Sequence, residues 1–141
     1  MTHPADDFDA LLRRVSVRVQ AARAGGSPIV PFAVVVDQEG NCAAFGLVNP
    51  PPTFWDAVEG LKYTLCHGAA SGAYRAAGYC GADLFYLHSD LKRHYALHVH
   101  LEHQTGDAAD YTLPLDQPIP EPLRYEHWSR VDGDRQIFVA P

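Results

Sequence analysis

The first part of the chain changes from a helical to an extended pattern of apolar positions. Apolar residues recur at helical spacing over residues 8–22, with charged residues between them, which predicts an amphipathic helix. Residues 29–37 are apolar at nearly every position, which favours a central strand covered on both faces. After a Gln38-Glu39-Gly40 loop, residues 42–48 are expected to return as the second strand of a hairpin.

A second helical pattern follows the stiff proline connector at residues 49–52. Thr53 is expected to cap this helix, which we predict to continue to about Ala77, before Gly78. Its glycines, Gly68 among them, weaken the helix and fit best if it lies very close to the sheet. A break near Gly68 is the alternative.

From residue 83 onward the apolar residues alternate with period two, which is typical of strands. The predicted strands are residues 84–88, 93–103, 111–115, 123–131 and 134–139. Asp132-Gly133 is a strong signal for a hairpin between the last two, and the prolines within residues 114–122 predict an irregular crossing.

These elements predict one α+β domain over residues 1–141, in the order α-β-β-α-β-β-β-β-β. One antiparallel sheet with two helices packed on one face is the economical arrangement. At the level of the fold alone, profilin-like and roadblock-like arrangements are compatible with it.

Charge and composition narrow the classes of partner. With 11 basic and 17 acidic residues, the formal net charge is −6, which argues against nucleic acids and anionic membranes. No secretory signal pattern and no apolar run of the ~20 residues needed for a membrane span are present. The three cysteines form no C-x-x-C pair and fit free thiols in a reducing cytoplasm.

The most promising chemistry lies on the predicted strand 93–103. His98, His100 and Glu102 are spaced by two residues, so their side chains share one face of the strand. Two imidazoles at this spacing could bind zinc, which needs at least a third protein ligand. The candidates for that ligand are Glu102, His88, His94 and His127. The alternative is a polar face open to water, and we expect no cofactor, with zinc as the exception to test.

Three aromatic residues, Trp55, Tyr125 and Trp128, are candidates for a binding surface. The alternative is that they close the ends of a core, because aromatic side chains dominate core burial.

Three segments carry a resemblance: PFAVVVDQEGN at residues 31–41, HVHLEHQTGD at 98–107 and YTLP at 111–114. They resemble a group of small uncharacterised bacterial proteins with an N-terminal helix, a PFxxxxDxxG hairpin and a strand that ends in LEH. The resemblance implies this architecture and a bacterial cytoplasmic setting, and it implies no activity. His94, His98 and His100 are not part of the shared pattern.

Taken together, these patterns favour a non-enzymatic interaction or regulatory module that binds another protein chain, with a second copy of itself among the candidates. Antiparallel sheets have edges that must be blunted or used. An acidic, immunity-type partner of a basic toxin is one specific version. The alternatives are a metal-binding or histidine-based hydrolytic enzyme centred on His98, His100 and Glu102, and a small-ligand sensor with a pocket between the second helix and the sheet.

Overall fold

The computed structural model describes residues 3–86, 92–120 and 123–139. The helices are α1 (Pro4–Ala24) and α2 (Phe54–Ala70), and a 3-10 turn spans Tyr125–His127. The strands are β1 (Phe32–Asp37), β2 (Cys42–Gly46), β3 (Tyr74–Tyr86), β4 (Arg93–His103), β5 (Ala108–Pro114) and β6 (Ser129–Asp132). The predicted α+β class is confirmed, with six strands in the described residues instead of seven.

All six strands form one antiparallel sheet in the order β2-β1-β3-β4-β5-β6. Helix α2 connects β2 to β3 on the other side of β1, and the remaining strands follow as a meander. The sheet therefore has two edges, β2 and β6.

The two helices pack on opposite faces of the sheet, so the prediction that both cover one face is wrong. Helix α1 packs in a core cluster with Val34 and Val36, and α2 packs in a second cluster with Ala33 and Val35. Successive side chains of a strand point to opposite faces, so the continuous apolar run of β1 needs cover on both sides.

Helix α2 ends at Ala70, earlier than the predicted end near Ala77, and the chain then forms β3. Gly72 has a φ of 79°, and the Ala73 N–H donates to the Gly68 carbonyl (2.9 Å), which closes the helix. Ala76 and Ala77 face the two core clusters in turn, so tertiary packing overrides their helix propensity. Of the strand predicted at 84–88, residues 84–86 end β3, and residues 87 and 88 lie outside the described residues.

The predicted hairpin at Asp132-Gly133 is wrong. Strand β6 forms, and the Gly133 N–H still donates to Ala108 of β5, but residues 134–139 leave the sheet. Residues 125–127 form a 3-10 turn where a strand was expected. Ile137 and Phe138 are buried in the cluster that contains α2. The chain therefore crosses the α2 face of the sheet after β6.

Candidate functional site

Strand β4 places the predicted site residues on one face, the face that α2 covers. Leu97, Val99 and Leu101 point to the opposite side, into the α1 cluster, as the period of two predicts. His100 and Glu102 are fully buried, so the alternative of a polar face open to water is wrong.

His100 lies between two carboxylates in the interior. Its Nε2 is 2.6 Å from Oε2 of Glu102, and its Nδ1 is 2.8 Å from Oδ1 of Asp110. Burial disfavours a charged ring, but the hydrogen bonds and charges of both carboxylates outweigh burial and raise the pKa of His100 to about 9. At neutral pH the ring is therefore an imidazolium that donates both N–H groups.

Asp110 is the shared acceptor of two histidines, because Nε2 of His98 is 3.0 Å from the same Oδ1. Burial opposes ionisation of this carboxyl, but the hydrogen bonds from His100 and His98 dominate and lower its pKa. The sequence did not identify Asp110, because its contact with β4 depends on the register of the β4–β5 pair.

The carboxylate of Glu102 holds the C-terminal segment. It accepts three consecutive backbone N–H groups, from Gln136 (2.7 Å), Ile137 (2.9 Å) and Phe138 (3.0 Å). Burial opposes its ionisation, but the hydrogen bonds with His100 and these backbone groups lower the pKa of Glu102. The cluster of His98, His100, Glu102 and Asp110 is therefore an ionic anchor between the sheet and residues 136–138.

The candidate zinc ligands that the structure describes have other partners or lie apart. Both ring nitrogens of His100 already face carboxylates, and within residues 3–86, 92–120 and 123–139 no group of three or more metal-ligating side chains is arranged to hold an ion. Of the other candidate ligands, His94 lies 2.7 Å from Asp116 and His127 accepts the Arg124 N–H, while His88 is outside the described residues. Zinc binding stays a prediction.

A second buried ionic cluster joins α1, β3 and β4. Arg75 donates two hydrogen bonds to Asp7, from Nε to Oδ2 (3.0 Å) and from a terminal nitrogen to Oδ1 (2.9 Å). Nε2 of His103 lies 2.9 Å from Oδ2 of Asp7. The sequence pattern does not link Asp7 to these partners, because they are 68 and 96 residues away along the chain.

The structure separates the three candidate binding aromatics. Trp55 is 57% exposed on α2, where its ring packs edge-on against Phe54. Trp128 is buried in the α1 cluster, on the opposite face of the sheet. Tyr125 is half exposed and lines a cavity of about 600 Å³ beside the first turns of α1.

A second cavity, of about 520 Å³, lies between the end of α2 and the C-terminal segment. Ala69, Ala70, Ile137 and Phe138 line it, together with the half-buried thiol of Cys66. Burial raises the pKa of this thiol, and the charge of Glu102 adds to the effect. The site therefore disfavours a thiolate nucleophile.

The two edges of the sheet differ in chemistry. Strand β2 has the sequence CAAFG and contains no charged residue and no proline, whereas β6 is SRVD and is exposed along its whole length. Natural edge strands are usually blunted by charges, prolines or bulges. By that criterion β6 is protected and β2 is not.

No family model, no curated protein and no solved structure matches this chain. Neither α1 nor α2 is long and apolar enough to cross a bilayer.

Proposed function

We propose that the protein is a self-associating interaction module in which two copies pair through β2. The observation that supports this is the uncharged outer edge of β2, which presents backbone N–H and C=O groups and no residue that would repel a second strand. Addition of a strand to such an edge gives affinity through main-chain hydrogen bonds.

A two-fold axis beside Ala44 would place two β2 strands antiparallel, each about 17 Å long at the rise of an extended chain. The same five residues then meet each other, and in this arrangement no like charges lie opposite one another within the strand pair. The result is a sheet that continues across both copies.

The residues that flank β2 complement this arrangement. The hairpin before β2 carries the exposed Glu39, and the guanidinium of Arg18 lies beside Gly46 at the other end of the strand. The antiparallel pairing brings Glu39 of one copy towards Arg18 of the other, at both ends of the interface. Val48, which is 95% exposed just after β2, adds apolar surface to the same region.

We further propose a reducing, cytoplasmic setting in a bacterium. The three free cysteines support the reducing compartment, and the resemblance of the PFxxxxDxxG and LEH segments supports the bacterial source.

Sedimentation equilibrium and native mass spectrometry of the full chain test the proposal. We expect a dimer for the unaltered protein. Ala43 is exposed on β2, so Ala43→Lys places charges close to the two-fold axis and should give a monomer without loss of fold. The matched control is Val131→Lys on the exposed edge of β6, which should leave the dimer intact.

A monomeric unaltered protein at high concentration would overturn the proposal, as would dissociation by Val131→Lys but not by Ala43→Lys. A monomer is the result expected if the protein binds a different partner. One such case is an immunity-type protein that uses its net charge of −6 to bind a basic toxin. Circular dichroism of each variant shows whether a loss of the dimer reflects a loss of fold.

A further inference from the structure

The cavity of about 600 Å³ beside α1 lies between the first turns of that helix and the β5–β6 side of the sheet. Its volume falls in the range of about 300–1,000 Å³ that is typical of small-molecule sites. It is remote from β2, which is at the opposite edge of the sheet. A ligand there would not compete with the proposed pairing of two copies.

Aromatic side chains form the apolar walls of this cavity. Phe8 and Tyr111 are buried in the α1 core cluster, and Tyr125 packs edge-on against Tyr111 with ring centroids 6.1 Å apart. Two walls come from the core, so their positions are fixed before a ligand binds. Such walls suit an aliphatic chain or a cation held over an aromatic face.

The charged lining is divided between two ends. Asp107, just before β5, has the same side-chain parity as Tyr111 and lies four residues from it, or about 13 Å along an extended strand. Arg130 of β6 pairs directly with Tyr111, and its guanidinium is 5.9 Å from the centre of that ring. Asp9 adds a carboxylate from α1, which is already paired with Arg13 (3.2 Å). Asp107 and Arg130 therefore place opposite charges at separate parts of one cavity.

This division restricts the class of ligand. A purely anionic ligand would be repelled by the carboxylate of Asp107, and a purely cationic ligand would be repelled by the guanidinium of Arg130. A molecule with a carboxylate at one end and a cation at the other satisfies both, and an aliphatic stem between them can lie along the aromatic walls.

We infer that this cavity binds a free amino acid with a basic side chain, of the lysine or arginine type. Arg130 binds the α-carboxylate, Asp107 binds the side-chain cation, and Phe8, Tyr111 and Tyr125 pack against the stem. Thr105 donates a hydrogen bond to Oδ2 of Asp107 (2.9 Å), which orients that carboxylate.

Isothermal titration of the full chain tests the inference with L-lysine and L-arginine as probes. Cadaverine lacks the carboxylate, and norleucine lacks the side-chain cation. Both should bind at least about tenfold more weakly than L-lysine, because each loses one hydrogen bond between charged groups. Arg130→Gln should weaken the binding of L-lysine by a similar factor, whereas cadaverine should bind as well or better, because the substitution removes a positive charge that repels it. Asp107→Asn should weaken both compounds.

The matched controls are Arg23→Gln at the far end of α1 and Asp56→Asn on α2, both exposed and outside the cavity. They should bind L-lysine like the unaltered protein. The inference would be overturned if neither L-lysine nor L-arginine bound, or if cadaverine bound as tightly as L-lysine. Equal losses of affinity for L-lysine in Arg130→Gln and Arg23→Gln would also overturn it. Thermal unfolding of each variant separates a lost ligand contact from a lost fold.

Discussion

Oε2 of Glu102 lies 2.6 Å from Nε2 of His100, and both side chains are fully buried. A buried ion pair is tolerated only when further hydrogen bonds satisfy the remaining polar atoms of both partners. Here Asp110 supplies them for His100, and three backbone N–H groups of residues 136–138 supply them for Glu102. The pair therefore connects the middle of the sheet to the C-terminal segment.

The ionic anchor predicts a loss of stability at alkaline pH. The folded-state pKa of His100 is about 9, above its ordinary 6.5, so its contribution is complete below pH 6.5 and is lost as the pH rises through about 9. The pKa values of Glu102 and Asp110 are lowered, so their contributions are lost only in acid. Urea unfolding across this range should show stability falling on the alkaline side.

The variant His100→Gln serves as the comparison for that pH profile. It lacks the titrating ring, so it should be less stable than the unaltered protein near pH 6 and should lose less stability between there and about pH 9. Parallel profiles for the two proteins would show that another group causes the alkaline loss.

Glu102→Gln should destabilise the fold by about 3–5 kcal/mol, because it leaves a buried imidazolium with one charged partner fewer. The amide also presents an NH₂ group to a site where every neighbour is a donor. Hydrogen exchange of the backbone amides of Gln136, Ile137 and Phe138 should accelerate more than that of β1. Chemical denaturation measures the free energy of unfolding.

The control for this substitution is Glu59→Gln, an exposed glutamate on α2 whose partner is Lys62. Its effect should stay within about 0.5 kcal/mol, as is usual for surface pairs. Equal effects of Glu59→Gln and Glu102→Gln would contradict the role assigned to the anchor.

Asp7→Asn should cost a similar amount, about 3–5 kcal/mol, since it removes the charge that pairs with Arg75 and contacts His103 in a buried setting. Asp6→Asn is an internal control, because Asp6 is exposed in the same helical turn and should change stability by no more than about 1 kcal/mol, the usual strength of a charge at a helix N-terminus. Thermal unfolding of both variants should therefore give clearly separate midpoints, and coincident midpoints would refute the prediction.

The difference between local and long-range information explains which features the sequence predicted. Period-two alternation placed His98, His100 and Glu102 on one face, because that depends only on an extended backbone. Asp110 and the backbone of residues 136–138 could not be assigned to the same site, because strand register and the path of the C-terminal segment depend on contacts across the fold. The cluster of Asp7, Arg75 and His103 could not be predicted for the same reason, because its members are distant in the sequence.

Two corrections differ in whether the sequence pattern could have prevented them. The segment around Ala76 and Ala77 is rich in small residues that suit both a helix and a buried strand. It forms a strand because its side chains pack alternately into the two core clusters. The placement of the helices, in contrast, could have been inferred. A strand predicted to be apolar on both faces, as in residues 32–36, already requires a cover on each side of the sheet.

The surroundings of Gly60 and Gly68 in α2 predict opposite effects of a glycine-to-alanine substitution on stability. A Cβ at Gly68 would overlap the ring of Tyr74 on β3, whereas a Cβ at Gly60 would lie 3.1 Å from the end of the flexible Leu47 side chain. Gly68→Ala should therefore destabilise the fold by about 1–3 kcal/mol, as overpacking does. Gly60→Ala should be neutral or stabilising by up to about 1 kcal/mol, because alanine is the better helix former.

Urea unfolding of the two variants measures this difference directly, since both remove a helical glycine and add one methyl group. Truncation of the obstructing ring gives a further check, because Tyr74→Leu should make the added cost of Gly68→Ala smaller if contact with that ring is its cause. Similar effects of Gly68→Ala and Gly60→Ala would show that α2 does not approach β3 as closely at Gly68 as the structure places it.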